Sequence, residues 1–292
     1  MSGSKKQSFP NYLLIIVEIY FSSLIIEVFI MQVASLRYGV IFKKAFSQPE
    51  IFTAFVQDFL GITLKIDYVE TEKSFDPIVG KVDSRFDLFA EDKTNRIIVD
   101  IQHVRSADHY DRFLHYHCVA LLEQVANAKN YSPDLTVFTI VVLTSGDRHK
   151  TDMAMIDFDP KDRHGRPLGE IAHKILYLCP KYVSDDTPQP YRQWLEAIDD
   201  SLDEQVDESH YEHKMIQQVF KLIKRDAISP QEMARMKEEY NLEEAQQEKY
   251  QQGLREGQLT IVKNLLAAGS EPEFIQQVTG ISLETLQILL EE

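Results

Sequence analysis

Residues 84–102, SRFDLFAEDKTNRIIVDIQ, contain two alternating segments that predict a β-hairpin, and this hairpin limits the fold more than any other feature of the chain. If the chain reverses around Lys93–Thr94, Asp87 lies directly opposite Asp100. Directly paired residues on one face have Cβ atoms roughly 4.5–5.5 Å apart, and Gln102 points the same way as Asp100. The other face is the expected core face and carries apolar residues: Phe86, Leu88, Ala90, Ile97, Val99 and Ile101.

The two facing carboxylates need a compensating charge. Like charges directly opposite each other destabilise a strand pair. A hard divalent cation such as Mg²⁺, which is commonly held by one or two carboxylates, would offset the repulsion. Such an ion lowers the pKa of a bound water and stabilises a developing oxyanion during phosphodiester cleavage. On spacing alone, two unrelated acids on a solvent-exposed sheet face remain an open alternative.

Hydrophobic periodicity predicts the elements around the hairpin. They are a helix after Ser47 within residues 40–60, a half-buried strand at 64–70, a helix at 108–128 and a fully buried strand at 135–144. The order helix, three strands, helix, strand predicts an α/β or α+β fold around one central sheet. Residues 145–195 are of mixed character, and the chain is helical and charged from about residue 191 onward.

Charge is concentrated in the C-terminal third of the chain. The formal net charge is −15, of which residues 196–292 carry −12 and residues 1–195 carry −3. This balance excludes a protein whose whole surface binds nucleic acid. The C-terminal helices contain too few cations to dock on DNA phosphates, so we expect them to mediate self-association or domain packing instead.

The hydrophobic run at residues 12–34 is long enough to span a bilayer. However, Glu18 and Glu27 fall on opposite sides of a helix, and each carboxylate costs roughly 2.5–3.5 kcal/mol in lipid. A membrane-tethered protein remains an alternative. A buried strand or helix, or an extension ahead of a start at Met31, is the favoured interpretation.

Thiols and imidazoles give no sign of a metal site. Two cysteines, Cys118 and Cys179, cannot form a disulfide framework or a multi-thiolate zinc site, and none of the nine histidines has zinc-ligand spacing. Cys118 is expected in the core of its helix. This cysteine usage fits a reducing compartment, so we expect a cytoplasmic protein.

The hairpin resembles the active site of the PD-(D/E)xK nuclease superfamily. It is most similar to the transposase-like branch called recombination-promoting nucleases, in which acidic–x–Gln replaces acidic–x–Lys. The match is Asp87 followed by Asp100–Ile101–Gln102. FKKAF at 42–46 resembles the opening Phe-Lys motif of the branch, and the resemblance covers roughly residues 36–292. The helix that follows the hairpin resembles the branch's Arg…Tyr…Gln pattern through Arg112, Tyr116 and Gln124.

The resemblance implies a restriction-endonuclease-like core, in which helices flank a central mixed sheet, with a helical C-terminal extension. It implies a DNA endonuclease that depends on Mg²⁺, with Mn²⁺ or Ca²⁺ as alternatives, and that acts in recombination. Asp87, Asp100 and the main-chain carbonyl of Ile101 would hold the metal. Gln102 would orient the attacking water or contact the scissile phosphate.

The chain also departs from the pattern of the superfamily. Gln102 cannot supply the positive charge of a lysine, so that charge is expected from Lys43, Arg105 or Arg112, with Tyr116 as an auxiliary residue. Members often add an acid from the first helix, and Glu50 and Asp58 are both candidates. Gly39 stands where the branch usually has an acid. A catalytically weak or inactive interaction protein with the same fold is therefore the alternative function.

The expected domain organisation has three parts. Residues 1–35 form a hydrophobic N-terminal extension, residues 36–195 form the nuclease-like domain, and residues 196–292 form an acidic helical region through which a homo-oligomer would assemble.

Overall fold

A six-stranded mixed sheet forms the centre of the protein. The computed structural model describes residues 30–75, 84–104, 109–125, 132–282, 284 and 286. The strands are β1 (Ile30–Gln32), β2 (Glu70–Phe75), β3 (Ser84–Glu91), β4 (Asn95–Gln102), β5 (Thr136–Leu143), β6 (Met153–Asp157), β7 (Lys174–Leu178) and β8 (Gln205–Asp207). The helices are α1 (Gly39–Phe46), α2 (Pro49–Leu60), α3 (His109–Leu122), α4 (Tyr191–Asp200), α5 (Lys214–Ile223), α6 (Pro230–Ala267) and α7 (Pro272–Thr279). Short 3₁₀ helices lie at Pro180–Tyr182, Ser201–Asp203, Glu208–His210 and Arg225–Ala227.

The strand order in the central sheet is β2-β3-β4-β5-β7-β6. Strands β2, β3 and β4 pair antiparallel, β4, β5 and β7 pair parallel, and β6 returns antiparallel to β7. Strands β1 and β8 form a separate two-stranded sheet. The predicted α/β class, with a mixed central sheet flanked by helices and a helical C-terminal region, is confirmed.

The predicted hairpin register is also confirmed. Leu88 pairs with Val99, Ala90 with Ile97 and Glu91 with Arg96, so Asp87 and Asp100 are the next facing residues. The reversal is closed by Asp92, whose Oδ1 accepts the backbone N–H groups of Thr94 at 2.9 Å and Asn95 at 2.8 Å.

The two faces of the hairpin differ in part from the prediction. Leu88 and Val99 belong to the main core beneath α1, α2, α4 and α5, as expected. Phe86 does not, because it packs on the opposite side of the sheet with Phe113 and Tyr116 of α3. That opposite side is a second apolar core rather than an exposed polar face. Helices cover both faces of the sheet. Strands that are buried on both faces are usually apolar along most of their length.

The first helical region consists of two helices rather than one. Helix α2 starts at Pro49 and buries Ile51, Phe55 and Phe59, as predicted. Helix α1 lies before Ser47, in residues for which no helix was predicted. It carries Lys43 towards the sheet.

The prediction of a strand at residues 64–70 is wrong. The strand begins only at Glu70, which pairs with Phe89, and only two residues of β3 remain beyond Phe89 to pair with an earlier segment. Leu64 is instead buried as part of a loop packed on the main core. Strands β6 and β7 lie in the region 145–195, where the sequence predicted no strand.

The helix predicted at 108–128 is observed as α3, from His109 to Leu122, and residues 126–128 lie outside the described part. Cys118 on α3 is only partly buried, so its predicted core position is wrong. The strand predicted at 135–144 is confirmed as β5, with seven of its eight residues buried.

Helices α4 and α5 contribute to the main core through Trp194, Leu195, Ile216 and Phe220. Contacts divide the chain into a unit that ends at Met236 and a unit from Lys237 to Glu292. In the second unit, Val262, Ile275 and Leu286 form a small apolar cluster.

Glycine and proline residues mark the ends of the C-terminal helices in the part that the structure describes. Gly269 follows α6 with a φ of 81°, Pro272 begins α7, and Gly280 ends α7 with a φ of 72°. Beyond Gly280 the structure describes residues 281, 282, 284 and 286.

The hydrophobic run at 12–34 lies outside the described residues up to position 29. Its last residues include β1, which pairs with β8, and Val33, which is fully buried. None of the described helices combines the length and the apolar character that a membrane crossing requires.

Candidate active site

A pocket of about 370 Å³ opens at the end of the β3–β4 hairpin farthest from its turn. Its lining combines three acids, two arginines and an aromatic wall from α3. The lining residues are Glu72, Arg85, Asp87, Asp100, Ile101, Arg112, Phe113 and Tyr116.

The two aspartates of the hairpin lie side by side in this pocket. The Asp87 backbone N–H donates to Asp100 Oδ1 at 3.3 Å, and the Ile101 backbone N–H donates to Asp87 Oδ2 at 3.1 Å. Each carboxylate is therefore anchored on the neighbouring strand. In an extended strand the N–H and C=O of one residue point to the same edge, so the Ile101 carbonyl faces β3 as well.

Asp100 is the most deeply buried acid of the pocket. Its side chain is buried with 4% exposure, and its Oδ2 has no hydrogen-bond partner in the part of the chain that the structure describes. Burial, followed by the charge of Asp87, raises the pKa of the Asp100 carboxyl well above its usual value, although Arg112 and Lys43 act in the opposite direction. An additional positive charge beside Oδ2 would stabilise the ionised form.

Lys43 reaches the aspartates from α1. Its Nζ lies 3.4 Å from Asp87 Oδ1 and also forms an ion pair with Glu72. Burial by itself would lower the pKa of Lys43, but the hydrogen bond with Glu72 and the charge of Asp87 raise it above its usual value. Lys43 is therefore a fixed cation beside the two aspartates.

Helix α3 supplies the opposite wall of the pocket. Arg112 is exposed, and its Nε donates to the hydroxyl of Tyr116 at 3.3 Å while the guanidinium lies 5.3 Å from the centre of the Tyr116 ring. Gln124, the third residue of the helix pattern, lies away from the pocket. Its side chain accepts the Leu135 N–H at 2.8 Å and so fixes the approach to β5.

Gln102 is close in sequence to the aspartates but is not among the residues that line the pocket. Its Oε1 is buried and has no hydrogen-bond partner within the described residues. Its backbone carbonyl accepts the Thr144 N–H at 3.0 Å, which continues the β4–β5 pairing.

The candidate acids of the first helix lie elsewhere. Glu50 is exposed in the first turn of α2 and does not line the pocket. Asp58 accepts the indole N–H of Trp194 at 2.7 Å and lies 3.1 Å from His213, so it links α2 to α4 and to the residue before α5. Arg105 falls outside the described residues.

Sequence reasoning missed two charged residues of the pocket, Glu72 and Arg85. Glu72 belongs to β2, whose sequence ETEKSF contains one strongly apolar residue and therefore shows no clear strand pattern. Arg85 precedes the first apolar residue of β3 and forms an ion pair with Glu72.

The donor set fits a hard divalent cation. Within the described residues no group of three or more His, Cys, Asp or Glu side chains is arranged to hold a metal by itself. Mg²⁺ does not need such a group, because it is usually bound through one or two carboxylates and keeps several waters. Asp87, the unpartnered Oδ2 of Asp100 and the Ile101 carbonyl supply oxygen ligands of the required kind.

Comparisons with known proteins identify the family of the chain. Residues 37–252 match the family model of the PD-(D/E)XK nuclease family transposase. No curated protein and no solved structure gives a significant match. The family match covers most of the chain and includes the hairpin, the pocket and α1 to α5. The chain therefore belongs to the PD-(D/E)XK nuclease family of transposases.

Proposed function

We propose that this protein is a DNA endonuclease that hydrolyses phosphodiester bonds with the help of a divalent cation and acts in recombination. The observation that carries the proposal is the buried Oδ2 of Asp100, which has no hydrogen-bond partner among the described residues and lies beside a second carboxylate. Membership of a nuclease family supports the same function.

Asp87, Asp100 and the Ile101 carbonyl would hold Mg²⁺, or Mn²⁺ or Ca²⁺ in its place. When bound, the cation supplies a water of lowered pKa and stabilises negative charge on the phosphoryl oxygens. The strand pairing and the two backbone N–H donors keep the carboxylates in place, so little reorganisation is needed when the substrate arrives.

The positive charge that the hairpin lacks is assigned to Lys43. Its ammonium is already fixed near Asp87, and a half-buried cation at that position attracts a phosphate oxygen. Arg112 approaches from α3 and is the second candidate for a phosphate contact. We keep Gln102 as a positioning residue for the attacking water, with Tyr116 holding the guanidinium of Arg112.

The experiment is cleavage of supercoiled plasmid by the full chain with Mg²⁺. Wild-type protein is compared with Asp87→Asn and Asp100→Asn, which keep the shape of the side chains. The matched control is Glu50→Gln, since Glu50 is an exposed acid that does not line the pocket. We expect the two aspartate variants to lose cleavage and the control to retain it.

Equal cleavage by wild type and both aspartate variants would contradict the proposed site. Absence of cleavage by the wild type with Mg²⁺, Mn²⁺ and Ca²⁺ alike would instead favour the interaction protein with an inactive nuclease fold. Chelation with EDTA should abolish cleavage, and added Mg²⁺ should restore it.

We further propose that the C-terminal helices associate with a second copy of the chain. Three exposed apolar residues of α6, Tyr240, Leu254 and Ile261, are separated by multiples of seven residues, which is the spacing of a coiled-coil seam. Leu254→Lys should lower the mass measured by light scattering, and an unchanged mass would contradict the proposal. We also propose a cytoplasmic location, which the presence of only two cysteines in the sequence fits.

A further inference from the structure

Glu72 has a backbone conformation that strands do not normally contain. Its φ is 59°, in the left-handed region that is unfavourable for residues with a Cβ atom. The neighbours Thr71 and Lys73 pair with Leu88 and Phe86, whereas the position opposite Asp87 is left out of the ladder. Such an outlier persists only where surrounding contacts hold it, and it is a reason to look for a function.

The contacts that hold Glu72 are two ion pairs. Its Oε1 binds Lys43 and its Oε2 binds Arg85. Glu72 therefore differs from Asp100, whose Oδ2 has no partner in the described chain. Burial alone would raise the pKa of the Glu72 carboxyl, but Lys43 and Arg85 lower it below its usual value, so the group is ionised at neutral pH.

The same two cations suit a phosphate. Lysine and arginine form charge-assisted hydrogen bonds with phosphate oxygens as readily as with carboxylates. The Arg85 side chain is 67% exposed and that of Glu72 is 34% exposed, so both can be reached from solvent. Together with Asp87 and Asp100, the ionised Glu72 would also repel a DNA phosphate that enters the pocket.

We propose that the Glu72 carboxylate is an internal substitute for a DNA phosphate. It holds Lys43 and Arg85 at a phosphate-binding subsite beside Asp87, and a backbone phosphate of the DNA displaces it and takes over both cations. Glu72 is then a specificity residue, because only a ligand that offers an anion to both cations can replace it. The inference rests on the proposed function, since it places DNA in the same pocket.

The test is DNA binding without cleavage. Fluorescence anisotropy of a labelled DNA duplex in EDTA compares wild type, Glu72→Gln and the control Glu70→Gln in the full chain. Glu70 lies on the same strand and forms an ion pair with Lys73 at 3.0 Å, but it does not line the pocket. The control therefore makes the same change of charge outside the subsite.

We expect Glu72→Gln to bind DNA roughly 3- to 10-fold more tightly at low salt, with a salt dependence steeper by about one counterion. Glu70→Gln should change the affinity much less. In the Glu72→Gln/Arg85→Gln double variant, the gain in DNA affinity should disappear, because Arg85 is one of the two cations that the first substitution releases. Equal melting temperatures of wild type and Glu72→Gln would show that folding is unchanged.

Equal DNA affinity of Glu72→Gln and Glu70→Gln would overturn the inference, and so would the absence of DNA binding by all variants. A loss of Mn²⁺ affinity in Glu72→Gln as large as in Asp87→Asn, measured by calorimetry, would make Glu72 a metal ligand instead. Cleavage by wild type without the affinity gain contradicts this inference alone. The affinity gain without cleavage contradicts the proposed nuclease activity alone.

Discussion

Both ends of the β3–β4 hairpin carry charged residues, but the two ends differ in how completely these residues are hydrogen-bonded. At the turn, Asp92 accepts the N–H groups of Thr94 and Asn95, and the next residue, Arg96, is bonded to Glu91, to Glu123 and to the carbonyl of Ala120. At the open end, Asp100 accepts the N–H of Asp87 and Asp87 accepts the N–H of Ile101, while the buried Oδ2 of Asp100 has no partner within the described chain.

The two ends also differ in the direction in which the surroundings shift the pKa of the buried acids. Although burial works against it, the N–H groups of Thr94 and Asn95 lower the pKa of Asp92, whereas burial and Asp87 raise the pKa of Asp100. The polar groups of the turn find their hydrogen-bond partners within the chain. At the open end the buried Oδ2 of Asp100 has no hydrogen-bond partner within the described residues, and under the proposed function a cation or the substrate would supply that contact.

The largest effect is expected from Asp100→Asn. Cleavage should fall by on the order of 10²–10³-fold, because a ligand and a fixed charge are lost. Stability without metal should rise at neutral pH. The folded pKa of Asp100 lies above the unfolded one, so its ionised form opposes folding once the pH exceeds the unfolded value.

Plasmid cleavage and urea unfolding in EDTA measure the two effects. Asp92→Asn is the control at the other end of the hairpin, and it should retain cleavage. A less stable Asp100→Asn protein would show that Asp100 is satisfied in the fold after all, and the comparison between the two ends would fail.

The next effect is expected from Arg96→Met, which removes the best-satisfied group at the turn end. The Arg96 side chain is only 7% exposed and joins β3, β4 and the end of α3 through Glu91, Glu123 and Ala120. Its loss should lower the free energy of unfolding by about 2–3 kcal/mol. Chemical denaturation measures this change.

An exposed pair provides the contrast for Arg96. Arg225 is 66% exposed and forms an ion pair with Glu204 at 3.1 Å. Arg225→Met should cost less than about 1 kcal/mol, as is usual for surface pairs. Similar losses for both variants would contradict the structural role of the Arg96 network.

The sequence alone is sufficient to predict the hairpin and its register, because two alternating segments separated by a tight turn can pair in few ways. It therefore predicts that Asp87 and Asp100 lie side by side. Strand β5 was predictable for a related reason, since it is a continuous β-branched run that only a buried strand accommodates. These predictions depend on local patterns over fewer than about twenty residues.

The remaining features of the site depend on contacts between distant segments. Lys43 reaches Asp87 across 44 positions of the sequence, and no local pattern predicts this approach. The left-handed backbone of Glu72 is not encoded by a glycine, so the outlier cannot be recognised from residue types. The prediction for Phe86 is wrong because strict alternation places it with Leu88 in the main core, whereas it packs with Tyr116 in the second core beneath α3.

A third prediction sharpens the comparison with an unsatisfied group outside the pocket. His117 is fully buried, its Nδ1 lies 2.9 Å from the hydroxyl of Thr139, and its Nε2 has no partner in the described residues. Burial, with a smaller effect of His173, lowers the pKa of His117 from 6.5 to about 3. His117 is neutral at physiological pH, so it needs no external charge, unlike Asp100.

Acid should therefore destabilise the fold through His117. Below pH 6.5 the His117 imidazole becomes protonated in the unfolded chain, whereas in the folded protein it stays neutral down to about pH 3. The free energy of unfolding should fall by about 2 kcal/mol between pH 7 and pH 5 on this account. His117→Gln should remove that part of the pH dependence, as urea unfolding at both pH values would reveal. An unchanged pH dependence would assign the effect to other groups.

A small effect is expected from Asp92→Ala at the turn. The variant loses the hydrogen bonds to the N–H groups of Thr94 and Asn95, but these groups are close to solvent and can bind water instead. The cost should be about 1 kcal/mol, measured by urea unfolding. Cleavage should not change, because β4 is held along its whole length by β5, from the Asn95–Thr136 pair to the Gln102–Leu143 pair. A loss of cleavage at this small cost in stability would mean that the turn, rather than the sheet, positions Asp87 and Asp100, and the two ends of the hairpin would then act as one site.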